Sequence, residues 1–187
     1  MSRSLLDRLI SYIGLTLAAV LLIAGILLTA AHNMVRAEVV SQLTSQNITM
    51  PSGPALDRLP AADKAALEPF AGQAMNNGAQ AKAFADHYIL AHMNASSQGK
   101  TYEEVSGEYM RMKDKTTEEA QKLGELRQSL FMGNTLRGML LNAYAFDTMG
   151  NIARTASIVS FVGAAIMTLL AVLGLRHAAQ AKDVTVG

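Results

Sequence analysis

The chain has 187 residues, half of them hydrophobic, with no cysteine and a formal net charge of +1. That length suits one modest domain with anchors rather than two domains with separate cores. The near-neutral charge excludes a broad nucleic-acid surface, and the lack of cysteine excludes a disulfide framework, thiolate zinc sites and cysteine nucleophiles.

Residues 9–31 carry no charge. A helix rises about 1.5 Å per residue and a bilayer's hydrocarbon core is roughly 30 Å thick, so about 20 apolar residues cross it. The stretch predicts a transmembrane helix at 9–31. A signal peptide has an apolar core of about 7–15 residues and a small-residue cleavage site. This run is longer, and Thr29-Ala30-Ala31 is a poor site, so it reads as an uncleaved anchor. Residues 156–175 are equally uncharged and predict a second span. The expected fold class is all-α: two long transmembrane helices forming a hairpin, with a small helical extracytoplasmic domain at 32–155 between them. The tails at 1–8 and 176–187 are expected to be cytoplasmic.

Charge sets that orientation, because basic residues near a span tend to stay cytoplasmic. The N-terminal tail has Arg3 and Arg8 against Asp7, and the C-terminal tail has Arg176 and Lys182 against Asp183. Each tail is net +1, whereas the segment between the spans has 12 Lys+Arg and 13 Asp+Glu. Arg36 and Arg154, next to the spans, reduce the contrast.

Helical character continues past the first span. Val35, Val39, Val40 and Leu43 recur at helical spacing, which predicts one helix over 4–45 that projects beyond the membrane. Pro51-Ser52-Gly53-Pro54 ends it, and 56–60 is a linker or short turn. Pro60 sits at the start of a short helix over 61–68, with Asp63 in its first turn and Pro69 as its stop. Asn76-Asn77-Gly78 signals a turn. Residues 79–93 read as a helix, with Ala81, Phe84, Ala85, Tyr88, Ile89 and His92 on one face and Lys82 and Asp86 on another.

A polar loop is expected at 95–99. Thr101 followed by Glu104 forms a capping box, in which the hydroxyl accepts from the Glu104 amide and the carboxylate reaches back. Tyr102, Val105, Tyr109 and Met110 lie on the helix it opens. Thr116 with Glu119 repeats the pattern and predicts another helix, with Ala120, Leu123, Leu126 and Leu130 on one side and a break at Gly133-Asn134. From Thr135 the chain reads as one helix to about Ala179, with Gly150 as its kink. No stretch alternates with period two, so no sheet is expected, and no internal repeat is found.

Several constellations touch on chemistry. Residues 94–101 resemble a Walker A loop with Asn94 in place of the first glycine. A phosphate loop needs a strand before it, and here a helix precedes. His87 and His92, five residues apart, sit about 140° apart on a helix, and Asp86 diverges from both. Helical metal pairs want spacing of three or four, so no metal site is expected, and His92 reads as a partly buried core or interface histidine. His32 and His177 flank the spans at the headgroup level. The spans hold no Asp, Glu, Lys, Arg or His, unlike proton relays and coupled transporters. Gly25 and Thr29 in the first span and Ser160 and Ala164 in the second permit close approach, either between the two spans or with another subunit. The 11 methionines, with Met132, Met139 and Met149 on or near the last helix, are expected to fill gaps in a helical core. Asn47-Ile48-Thr49 and Asn94-Ala95-Ser96 match the glycosylation pattern, which has no meaning in a bacterial host.

Three segments together are distinctive: Ala71-Gly-Gln-Ala-Met-Asn-Asn-Gly78, Gly99-Lys-Thr-Tyr-Glu-Glu-Val-Ser106, and Leu136-Arg-Gly-Met-Leu-Leu-Asn-Ala-Tyr144 leading into the second span. The chain resembles a group of small actinobacterial membrane proteins with two spans and a helical extracytoplasmic segment. The resemblance covers most of the chain and implies an actinobacterial plasma membrane. Members often carry the label of aromatic ring-opening dioxygenase. That label implies an iron site, which the histidine spacing does not support, so it reads as an artefact. No functional residue is carried over.

The expected function is that of a non-enzymatic integral membrane protein, an accessory or interaction subunit presenting its helical extracytoplasmic domain to a partner. The lipid bilayer is one partner, with another membrane protein or self-association as the second. No catalytic residue, cofactor or metal is assigned. The alternative is an extracytoplasmic module binding a ligand, lipid or quinone near Tyr88, Tyr144 and Phe146, and an enzyme is a remote third reading.

Overall fold

The computed structural model describes residues 3–180. The parts of the two tails at 1–2 and 181–187, including Lys182 and Asp183, lie outside the described residues. Within them the chain is helical and no strand forms. The elements are α1 (Arg3–Thr44), α2 (Pro54–Asp57), α3 (Ala61–Leu67) with a 3₁₀ turn at Glu68–Phe70, α4 (Gly78–Ala83), a π-helical turn at Phe84–Ile89, α5 (Leu90–Ser97), α6 (Tyr102–Arg111) and α7 (Glu118–Gln180). Two helices, α1 and α7, are each long and apolar enough to cross a membrane. The chain divides into two compact units, one built from residues before 36 and after 148, the other from residues 36–148.

The first unit joins the apolar parts of α1 and α7. Contacts run in opposite order along the two helices. Gly14 lies against Ala171, Gly25 against the Phe161 ring, and Gly150 against Val35. Thr29 Oγ1 and Ser157 Oγ are 3.0 Å apart, and His32 Nδ1 lies 2.8 Å from Gly150 O. A Cβ at Gly25 would sit 2.8 Å from the Phe161 ring, so glycine there is what admits the aromatic side chain. Gly25 and Thr29 are thus engaged within the chain, and Ala164 is buried. Helix α7 runs through Gly150 without interruption, and that glycine is a close-approach point for α1.

In the second unit Val39 and Leu43 of α1 are buried, as are Met50, Leu56, Leu67, Met75, Val105, Leu130 and Leu140. Val39 and Leu43 belong to the stripe expected beyond the first span. After α1, one antiparallel bridge pairs Thr49 with Ala74, with Met50 N donating to Gln73 O at 2.8 Å and Met75 N to Ile48 O at 2.9 Å. It is too short to make a strand, but it fixes both flanking methionines in the core. Pro54 opens α2 instead of only ending α1, since a proline's missing N–H is no loss in a helix's first turn. Asn77 caps α4 by accepting from Gln80 N at 3.0 Å.

Three further expectations are corrected. Gly133-Asn134 does not break the chain: α7 is one helix of 63 residues. A helical glycine costs only about 1 kcal/mol relative to alanine, and Gly133 sits where a Cβ would lie 2.5 Å from Met93 Sδ. It is there for packing. The cap of α7 is Thr117, not Thr116: Thr117 Oγ1 accepts from Ala120 N at 3.2 Å, while Thr116 bonds Asp114. Finally, α5 continues to Ser97, so the loop expected from 95 is confined to Gln98, Gly99 and Lys100, with Gln98 and Gly99 at φ 55° and 81°.

Candidate functional site

A set of charged and aromatic groups lies where the continuous run of α4, the π turn and α5 packs along α7. Residue order shows that the two run antiparallel. Gly78 meets Tyr144 and Asp147, Ala85 and Asp86 meet Arg137, and Gly133 meets Met93. At Gly78 a Cβ would fall 2.6 Å from Asp147 Cβ and 2.9 Å from Tyr144 Cα. Only glycine lets the two backbones come this close. The Gly78 N–H donates to Asp147 Oδ2 at 3.2 Å.

The π turn sits at the middle of this contact. Its Leu90 N–H donates to Ala85 O, five residues back. Ala85 O also accepts from Arg137 Nε at 3.0 Å, and Arg137 Nη2 donates to Asp86 Oδ1 at 3.1 Å. Lys82 Nζ donates to the other Asp86 oxygen at 2.5 Å and lies 5.5 Å from the Tyr144 ring centre. Partial burial pushes the Asp86 carboxyl up, but hydrogen bonds from Lys82 and Arg137 and their charges outweigh it and hold it below the usual aspartate value. The Asp86 bond raises Lys82. Asp86 thus bridges two cations, and Arg137 adds the Ala85 carbonyl, so the network ties the π turn to α7.

The histidines do not converge. His87 Nδ1 lies 2.9 Å from Asp63 Oδ1 of α3. His92 is exposed rather than partly buried, with Nδ1 2.7 Å from Tyr88 O and its ring packed at a tilt against Tyr88, centroids 4.4 Å apart. Phe84 continues the row, 4.8 Å from Tyr88 and also tilted. Among the described residues no three metal-ligating side chains gather. Phe146 is 56% exposed, so it does not close a pocket with Tyr88 and Tyr144.

Residues 94–101 are the end of α5, a turn, and a cap. Thr101 accepts from Glu104 N, and Glu104 Oε2 accepts from Thr101 N at 2.7 Å, completing the expected box. The Thr101 amide and then its hydroxyl hold the Glu104 carboxyl below its usual value. Lys100 Nζ bonds Glu108 at 2.8 Å and is not held for a phosphate. An open groove beside this ion pair is lined by Lys100, Glu108, Glu118, Glu119, Lys122, Leu123 and Leu126. Its Lys122–Glu118 pair also spans one turn of helix, so much of its charge is matched within its own walls.

Met132, Met139 and Met149 are not core fillers: they are 54%, 61% and 61% exposed. The methionines that fill the core are Met50 and Met75. The Arg137 network and this outward methionine face were both missed in the sequence. Lys82 and Asp86 were visible as an i,i+4 pair, but nothing in sequence spacing links either to a residue some fifty positions away.

No family model, no curated protein and no solved structure matches the chain.

Proposed function

We propose that the protein is a two-span integral membrane hairpin that acts as a non-enzymatic accessory subunit. One observation carries the membrane reading. Of the residues in the most apolar 18-residue windows of α1 and α7, only 17% and 11% are buried inside the protein. A core helix of a soluble protein is mostly covered by its own fold. Here Ile10, Ile13, Leu17, Val20, Ile23 and Leu27 on α1, and Val159, Val162, Ile166, Leu169 and Leu173 on α7, all face outward. Such surface is far beyond the few hundred Å² of apolar patch that a monomer leaves to water, and lipid is the solvent that suits it. The polar contacts between the spans, Thr29 with Ser157 and His32 with the Gly150 carbonyl, satisfy groups that hydrocarbon would leave bare.

Both termini are cytoplasmic in this reading and residues 36–148 stand outside an actinobacterial plasma membrane, in keeping with the tail charges and the resemblance noted above. The accessory role is favoured by the outward apolar residues of α7. Native purification in mild detergent, read by mass spectrometry, tests it. The chain is expected in a stoichiometric complex, and a lone monomer in every gentle detergent would overturn the role.

A further inference from the structure

From residue 128 to residue 146 every exposed residue of α7 is uncharged. The exposed large side chains there are Phe131, Met132, Leu136, Met139 and Phe146, between 48% and 61% exposed. The one charged residue of this stretch, Arg137, and Asp147 just beyond it turn inward to Asp86 and Gly78. The preceding turns of the same helix are different: Glu118, Glu119, Lys122 and Glu125 are all exposed. An uncharged strip about 28 Å long on an otherwise charged surface is an interaction surface.

We propose that this face docks against the same face of a second copy of the chain, with the two α7 helices parallel. This rests on the membrane reading above, because two copies anchored in one bilayer present α7 in the same direction. Three observations favour a second copy. Met132, Leu136, Met139 and Phe146, with Ala143 between, fall at alternating steps of four and three, the spacing of a parallel two-helix seam. Thr135 and Asn142, exposed beside the seam, are uncharged, so identical faces meet without like-charge repulsion. The area is also sufficient. The four large seam residues, each about half exposed, contribute on the order of 100 Å² apiece, and Thr135 and Asn142 add roughly 100 Å². That gives about 500 Å² per copy and about 1,000 Å² in all when fully covered, which reaches the roughly 1,000 Å² a specific interface needs. Lipid does not suit the whole strip, since Met132 precedes the second span by about two dozen residues of chain.

The natural chain has no cysteine, which makes the test direct. Met139→Cys is introduced into the full chain in its host membrane, with Lys122→Cys as the exposed control, and a mild oxidant is added. Met139→Cys is expected to form a disulfide-linked dimer at least tenfold more efficiently than Lys122→Cys, and adding Leu136→Glu to Met139→Cys is expected to abolish that excess. Equal crosslinking at the two positions overturns the proposal, as does protection of Met139→Cys from a water-soluble maleimide without any dimer, the mark of lipid or a foreign chain. Alkaline extraction of the same membranes separates the two readings: a chain that stays in the membrane but does not crosslink sinks only the self-docking, whereas a chain that is released sinks the membrane reading.

Discussion

Arg137→Leu removes both bonds that α7 makes to the π turn, at 3.0 Å to Ala85 O and 3.1 Å to Asp86. Hydrogen bonds to charged groups contribute about 1.5–3 kcal/mol each when shielded. Both side chains are about one-fifth exposed and Lys82 still neutralises Asp86, so solvent and the remaining partner reduce the loss to about 2–3 kcal/mol. Leucine is as good a helix former as arginine, so the change reports the contact and not α7 itself. The assay is hydrogen exchange by mass spectrometry on the full chain in detergent. Amides over 84–97 are expected to exchange about 30–150-fold faster, while amides of the membrane part of α1 hold their rate. A change under threefold over 84–97 would refute the claim that this network holds the π turn to α7.

Two glycines give opposite expectations. Gly78→Ala drives a Cβ into the Tyr144 backbone and is expected to destabilise the second unit by about 1–3 kcal/mol, whereas Gly133→Ala meets only the flexible end of Met93 and is expected within about 1 kcal/mol of neutral; urea titrations of the two variants compare them. Thr117→Ala is expected to lose about 1 kcal/mol from the start of α7 and speed exchange over 118–121, and Thr116→Ala is expected to leave those amides alone. Thr29→Val removes the bond to Ser157 and is expected to weaken the pairing of the spans by about 0.6 kcal/mol, measured by steric trapping in bicelles. Because the folded Asp86 carboxyl titrates below its unfolded value, its contribution is full above about pH 4 and is lost as pH falls through the folded value. The urea midpoint is therefore expected to drop below about pH 4, by less in Asp86→Asn than in the wild type.

What the sequence made legible was set by local rules. The bounds of α1 fall within a residue of the expected ones because an unbroken apolar run and a Pro-Ser-Gly-Pro stop are both local signals. The Thr101 cap was legible for the same reason: donor and acceptor are three residues apart. The failures lie where distant residues decide. Gly133 looked like a break because its packing against Met93 is invisible in sequence, and a helix this long absorbs one glycine easily. Thr116 and Thr117 offer the same hydroxyl, and Asp114 draws the first of them away. The π turn leaves no mark of its own in residues 84–89, whose carbonyl and carboxylate are engaged by Arg137 from α7. The outward methionines were misread because an abundance of methionine does not show which of them the fold covers. The histidines followed the same pattern: residues 84–89 form a π turn, so the angle reckoned for a regular α-helix does not carry over to His87 and His92, and the exposure of His92 depended on packing.

The most direct test of the central claim is accessibility of single cysteines to a membrane-impermeant maleimide in intact host cells. Asn94→Cys, Leu22→Cys and Gln180→Cys sample the second unit, the first span and the end of α7 in a chain that is otherwise cysteine-free. A two-span protein with residues 36–148 outside predicts labelling of Asn94→Cys in intact cells, of Gln180→Cys only after permeabilisation, and of Leu22→Cys in neither state. Equal labelling of Leu22→Cys and Asn94→Cys would contradict a lipid-covered span, and labelling of Gln180→Cys before Asn94→Cys would contradict the orientation.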